Sequence, residues 1–317
     1  MGKLAFIFPG QASQYSGMGR ELFEHHSAAR AVFEEADSAL GLSISRLCFE
    51  GSEEDLKRTE NTQPCILTAS IAALRALESR GVRPDYVAGH SLGEYSALVA
   101  ADALKFGDAV RLVRLRGQYM QEAVPAGAGA MAAIPGVAPA QVEEICRKAS
   151  NGEIVAPANL NSPEQTVISG HTAAVRRAVE IALQSGAKRA VVLPVSAPFH
   201  CELMMPAQVR LEGDLRKTDF TDLKFPIATN ATAELTESGS EAREALIRQV
   251  TMPVRWEECV RALMEAGVNT FIEVGPKRVL GGLLRQIDRS AHYFNVEDQA
   301  SLAATTEKLA QARAEAE

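Results

Sequence analysis

The sequence has no Cys-x-x-Cys pair, no excess of basic side chains, no internal repeat and no long apolar run. Each lack removes a class of protein. The five cysteines, Cys48, Cys65, Cys146, Cys201 and Cys259, are odd in number and scattered. That excludes a disulfide framework and a zinc site, and reads as reduced thiols in a cytoplasmic protein. Lys and Arg number 33 against 40 Asp and Glu, a net charge of -7. Nucleic-acid phosphates demand a basic face, so no nucleic-acid partner is expected. A local basic cluster can still oppose the global sign and meet an acidic partner. The run Leu4–Phe8 stops at Pro9-Gly10, too short for a signal peptide or a membrane span, so no membrane contact is expected. What is present, 317 residues with 46% hydrophobic and 23% charged side chains, supports one large soluble domain or two unequal ones.

Leu4–Phe8, closed by Pro-Gly, reads as a strand buried on both faces. Helical periodicity covers 19–40. Thr62-Gln63-Pro64, a cap residue with an early proline, starts a long helix that ends at Gly81. Asp85–Gly89 reads as a short buried strand, 91–101 as the helix directly after it, and 107–123 as a further helix. Pro125–Gly129 looks like a linker. After it, strand-like Met131–Ile134, Ile154–Asn159, Thr166–Ser169 and Ala190–Val195 alternate with helical 138–150 and 171–185. Their order, β-α-β-β-α-β, is the ferredoxin-like motif. Helices follow at 202–217, 240–250, 254–266 and from 277, with strands at Phe225–Thr229, Phe271–Val274 and 292–296. The Ala/Glu/Lys-rich tail from 300 reads as a solvated helix. The expected fold is α/β: a hydrolase-like core with a mostly parallel sheet from 1–125 and 197–317, carrying an inserted small ferredoxin-like (βαββαβ) subdomain at 126–196.

Gly89-His90-Ser91-Leu92-Gly93 matches G-x-S-x-G between a predicted strand and a predicted helix. A sharp strand-to-helix turn lifts a serine hydroxyl out of the sheet, and the helix N-terminus beneath it offers free N–H groups to an oxyanion. An ordinary tight turn also fits the pentapeptide, but the flanking elements favour a nucleophile. Six histidines are available as its base. His25 and His26 end a polar helix and read as solvated. His171 opens a helix and His292 opens a strand. His90 adjoins the serine but points away from it on an elbow. His200 sits in a loop leaving the inserted subdomain, where catalytic side chains gather, and is the candidate base.

Together with Pro9-Gly10-Gln11, Ser196-Ala197-Pro198-Phe199-His200-Cys201 and the Glu94 that follows the elbow, these residues resemble the acyl transferase family of fatty acid and polyketide synthesis. The bacterial malonyl-CoA:acyl carrier protein transacylases are the branch resembled most. Asn61-Thr62-Gln63-Pro64, Arg114-Leu115-Arg116-Gly117, Gln249 and Glu273-Val274-Gly275-Pro276 fit the same family in order, so the resemblance covers about 1–290.

The resemblance implies that Ser91 is acylated by malonyl-CoA, with His200 as base. Arg116 holds the malonyl carboxylate, the Gln11 and Leu92 amides form the oxyanion hole, and Gln63 and Gln249 line the pocket. Phe199 would narrow it and a main-chain oxygen near Val250 would orient His200; His90, pointing away on the elbow, is expected to support the site from behind. The acceptor would be the phosphopantetheine thiol of acyl carrier protein, in a ping-pong reaction needing no cofactor and no metal. Chemistry supports Arg116 separately, since a planar guanidinium grips a carboxylate with two parallel hydrogen bonds; as one of three neighbouring arginines it also reads as a surface residue. Glu94 reads as a first-turn acid facing the helix dipole, and Gln63 and Gln249 also read as ordinary helix-end residues. Two other classes share parts of this pattern: an α/β-hydrolase-type esterase or thioesterase, and a non-catalytic scaffold of the same fold.

Overall fold

A computed structural model describes residues 2–195 and 197–314. Met1, Ser196 and 315–317, at the ends of the segments expected for the two units, lie outside the described residues. In chain order the strands are β1 (Lys3–Phe8), β2 (Tyr86–Gly89), β3 (Gly129–Pro135), β4 (Val155–Ser162), β5 (Gln165–His171), β6 (Val191–Val192), β7 (Ile227–Ala228), β8 (Leu235–Thr236), β9 (Val268–Val274) and β10 (His292–Val296). Six form one sheet in the order β10-β9-β1-β2-β7-β8, parallel except for the β7–β8 pair. The other four form an antiparallel sheet in the order β4-β5-β3-β6, with helices Pro139–Ala149 and Thr172–Gln184 in its two crossovers. That is the ferredoxin-like arrangement, and the chain is α/β as expected.

The strand Leu4–Phe8 sits at the middle of the larger sheet because both its faces are apolar. Leu4, Phe6 and Phe8 join one core cluster, while Ala5 and Ile7 join the other. Burying a Phe or Ile side chain stabilises by roughly 1.5–3 kcal/mol, so a strand apolar on both faces is favoured where both faces are covered, inside a parallel sheet. The smaller sheet has its own cluster around Ala132, Ile134, Ile168 and Val175. It is tied to the larger part along β4: Leu160 N–H donates to Val254 O and Val254 N–H to Ala158 O, both at 2.8 Å.

Several boundaries differ from the sequence reading. The helix expected at 19–40 breaks at His26, whose backbone is extended, into Arg20–His25 and Ser27–Leu40. The helix expected from Thr62 starts at Thr59 and runs to Glu78, with Pro64 inside it. A proline there leaves the carbonyl four residues back without its helical partner, and the Arg114 guanidinium takes up that Glu60 oxygen at 2.8 Å. Short helices Ile44–Glu50 and Glu53–Lys57 and strand β8 were not foreseen. The terminal helix Gln299–Ala314 is not simply solvated, because Leu302, Thr305 and Leu309 are buried on one side of it. No helix among the described residues is long and apolar enough to cross a membrane.

Candidate active site

The turn between β2 and helix Gly93–Ala100 holds Ser91 at φ 53, in the left-handed region. An L-residue rarely sits there unless its surroundings impose it. Two glycines do so by letting the backbones close in. A Cβ on Gly89 would lie 1.9 Å from the Gly93 carbonyl, and one on Gly93 would lie 2.1 Å from the Phe8 carbonyl oxygen. The end of β1 meets the same turn, since a Cβ on Gly10 would stand 2.5 Å from His90 O. Gln11 is thereby brought beside the serine. Among the described residues no partner engages the backbone N–H of Gln11 or of Leu92.

His200 reaches the serine from the loop after β6, also with a left-handed backbone at φ 59. Its Nε2 is 2.7 Å from Ser91 Oγ and its Nδ1 is 2.8 Å from the Gln249 main-chain oxygen. A carbonyl only accepts, so the ring carries its proton on Nδ1 and Nε2 is free to receive one. The expected carbonyl near Val250 is therefore that of Gln249, one residue earlier. Helix Gly239–Gln249 ends there with Val250 as its cap, and the last carbonyls of a helix lack intrahelical donors. Burial, with the Arg116 charge added, pushes the His200 pKa down to about 3. The base is thus neutral at any ordinary pH.

Arg116 is 1% exposed, not a surface arginine. Its helix, Phe106–Glu122, lies close against Thr59–Glu78 because Gly117 has no side chain; a Cβ there would stand 2.7 Å from Glu60 Cα. The approach lets Arg116 Nη1 donate to Gln63 Oε1 at 2.8 Å. Nη2 donates to Gln249 Oε1 at 2.9 Å and to Ser91 Oγ at 3.1 Å. Desolvation lowers the guanidinium's pKa, yet arginine keeps its proton in proteins, so a full positive charge lies beside the hydroxyl. Gln63 and Gln249 are fully buried rather than ordinary helix ends.

Three site residues escaped the sequence reading. Asn230, after β7, accepts from Ser91 N–H at 2.7 Å and donates to Gly89 O at 2.7 Å, clamping both sides of the elbow. Asn161 of β4 places Oδ1 2.8 Å from His90 Nε2, so His90 faces the smaller sheet and not the hydroxyl. Glu94, assigned above to the helix dipole, is fully buried and accepts from Asn230 N–H at 3.0 Å and Gln249 Nε2 at 2.8 Å. Only Glu94 carried a signal, as the acid directly after G-x-S-x-G. The asparagines sit at strand ends with no local pattern. The remaining histidines stay elsewhere: His26 meets Gln299, and the His171 ring accepts from Ile154 N–H.

Ser91 and His200 open into a cavity of about 380 Å³ between the two sheets, lined also by Gln11, His90, Met131, Asn161 and Phe199. The sequence model of the acyl transferase domain family matches residues 5–310. The chain belongs to this family. A malonyl CoA-acyl carrier protein transacylase of Bacillus subtilis is 49% identical over 299 residues, covering 94% of each chain. The solved malonyl CoA-acyl carrier protein transacylase of Coxiella burnetii is 45% identical, with a TM-score of 0.95 over 97% of this chain and 98% of that one. A malonyl-transacylase solved in complex with its type II PKS acyl-carrier protein is 43% identical, with a TM-score of 0.94 over 96% of this chain and 99% of that one.

Proposed function

We propose that this enzyme transfers a malonyl group from malonyl-CoA to the phosphopantetheine thiol of acyl carrier protein, through an ester on Ser91. The observation that carries the reading is that Ser91 Oγ lies between a neutral base at 2.7 Å and a buried guanidinium at 3.1 Å. In the first half-reaction Ser91 Oγ attacks the thioester carbonyl and His200 Nε2 takes its proton. The tetrahedral oxyanion accepts from the Gln11 and Leu92 amides; a donor so placed lowers the barrier by roughly 2.7–4 kcal/mol. The C–S bond breaks, and coenzyme A leaves as the thiol with the proton from His200. The second half-reaction runs the same steps backwards, with the carrier thiol in place of coenzyme A.

Arg116 selects the acyl group. Three of its five N–H bonds are used by Gln63, Gln249 and Ser91, and the rest remain for a carboxylate. Phe199, buried at the cavity wall, limits the width beside the acyl chain. The transacylase names of the relatives, and the carrier protein bound to one of them, support the donor and the acceptor. Coenzyme A enters as substrate, and the steps above use no bound cofactor. The five unpaired, buried cysteines support a cytoplasmic protein, and we take 126–196 as a subdomain inserted between 1–125 and 197–317.

The test is to mix the enzyme with malonyl-CoA, quench, and map the modified peptide by mass spectrometry. Malonate should sit on Ser91, persist without carrier protein and vanish when the holo carrier is added. Rapid release as free malonate, at the rate of transfer, would mark a hydrolase instead. No ester at all would mark a scaffold.

A further inference from the structure

The Gln249 side chain stands between two buried charges. Its Oε1 accepts from Arg116 Nη2 at 2.9 Å, and its Nε2 donates to Glu94 Oε2 at 2.8 Å. Arg116 has no carboxylate within salt-bridge distance among the described residues, so its nearest neutralising charge is reached through that one carboxamide. A buried, unpaired charge is strongly unfavourable, and a polarised amide between two charges is a means of pairing them at a distance. Glu94 itself is satisfied on one side only. Its Oε2 takes bonds from Gln249 and from Asn230 N–H, whereas Oε1 is buried without a partner.

We propose that Glu94 is the counter-charge of Arg116 in the unloaded site, relayed through Gln249, and that a carboxylated acyl group displaces it from that role. The proposal rests on the function given above. When the acyl carboxylate pairs with Arg116, two anions compete for one cation among buried side chains, and Glu94 takes up one proton from solvent. When the acyl group leaves, the proton returns. Glu94 is therefore a positioning residue, acting through Gln249 on Arg116, and it makes loading of a carboxylated acyl group proton-dependent while a neutral acyl group is loaded without that cost.

Burial pushes the Glu94 pKa up to about 7, against the opposing pull of Asn230, Gln249 and Arg116. A second anion nearby moves it further up. The other groups facing it do not titrate in the same range. Tyr95, on its own helix, and Cys259, from helix Trp256–Glu265, are both pushed far upward by burial and stay protonated. Arg116, from helix Phe106–Glu122, stays charged, and Asn230 and Gln249 are neutral amides.

The experiment measures single-turnover acylation of Ser91 by malonyl-CoA and by acetyl-CoA from pH 6 to 8, in the wild type, Glu94→Gln and Glu94→Asp. Taking the malonyl-to-acetyl ratio of rates at limiting substrate cancels His200 and the phosphates of coenzyme A. For full coupling of one proton to a group near pH 7, that ratio should fall about tenfold across the range in the wild type. It should be flat in Glu94→Gln, which keeps the shape and an acceptor but cannot ionise, and should fall again in Glu94→Asp. A purely structural role would lower both rates together and leave the ratio's pH dependence unchanged. A flat ratio in the wild type overturns the proposal even if Glu94→Gln fails to fold. Malonyl-Ser91 formed with a flat ratio leaves the transacylase reading intact, whereas no malonyl-Ser91 at any pH overturns both.

Discussion

Two groups of polar contacts meet at Ser91. On one side His200 makes two bonds, one to the hydroxyl and one to the Gln249 carbonyl. On the other, Arg116 belongs to a chain of side chains through Gln63, Gln249 and Glu94. The first group moves a proton and needs only position; it uses a main-chain acceptor, which side-chain substitution cannot remove. The second holds a charge and needs compensation, so it recruits buried carboxamides and a carboxylate from three other helices. On the proposed roles, bond-making is local and sparse, while acyl-group selection is spread through the core.

The hardest way to break the comparison is to remove the first group. Ser91→Ala and His200→Ala should each lower acylation by on the order of 10⁴-fold or more, measured as acyl-enzyme formed per second. No Asp or Glu substitution should approach that loss, because His200 Nδ1 is held by a carbonyl at 2.8 Å. A carboxylate whose removal matched His200→Ala would revive the hydrolase mechanism.

Arg116→Ala removes the charge at the centre of the second group. Removing one partner of a buried charge pair typically costs about 2–5 kcal/mol, and malonyl transfer should fall accordingly, while acetyl transfer is retained or improved. If both fall together, the division between the two groups is wrong. A smaller change is expected at the cavity wall. Phe199→Ser should raise methylmalonyl relative to malonyl transfer by at most about 1–3 kcal/mol, the range for one added methyl group. An unchanged ratio would leave Phe199 with packing alone.

The smallest expected effect is none. An ordinary histidine loses half its free base near pH 6.5, but burial and Arg116 hold the His200 pKa near 3. With the folded-state pKa below the ordinary value, protonation is deferred to lower pH. Acylation by acetyl-CoA should therefore stay level from pH 8 down to about pH 5. A fall by half near pH 6.5 would show a base freely hydrated, and would weaken the claim that the first group depends on burial. The same sign applies to stability: unfolded His200 binds a proton below about pH 6.5 and the folded form does not, so acid removes stability there.

Much of this protein is legible in its sequence. Leu4–Phe8, closed by Pro9-Gly10, reads as a strand buried on both faces, because an uninterrupted apolar run needs cover on each side. Gly89 and Gly93 announced the elbow, since only residues without a Cβ allow backbones so near. The β-α-β-β-α-β order announced the antiparallel sheet, and the family resemblance carried Ser91, His200 and Arg116. The strand, the elbow and the sheet are properties of spacing, and spacing is written along the sequence; the three side chains came from the resemblance instead. What tertiary structure alone decided is which distant side chains share one buried volume. Gln63, Glu94, Arg116 and Gln249 belong to four helices, and nothing within any one segment shows that the four side chains touch. Gly117 and Pro64 bring two of those helices together, one by removing a side chain and the other by freeing a carbonyl for Arg114. Asn230 and Asn161 gave no local sign at all. A buried amide is specified by the unsatisfied groups around it, and those groups come from other parts of the chain.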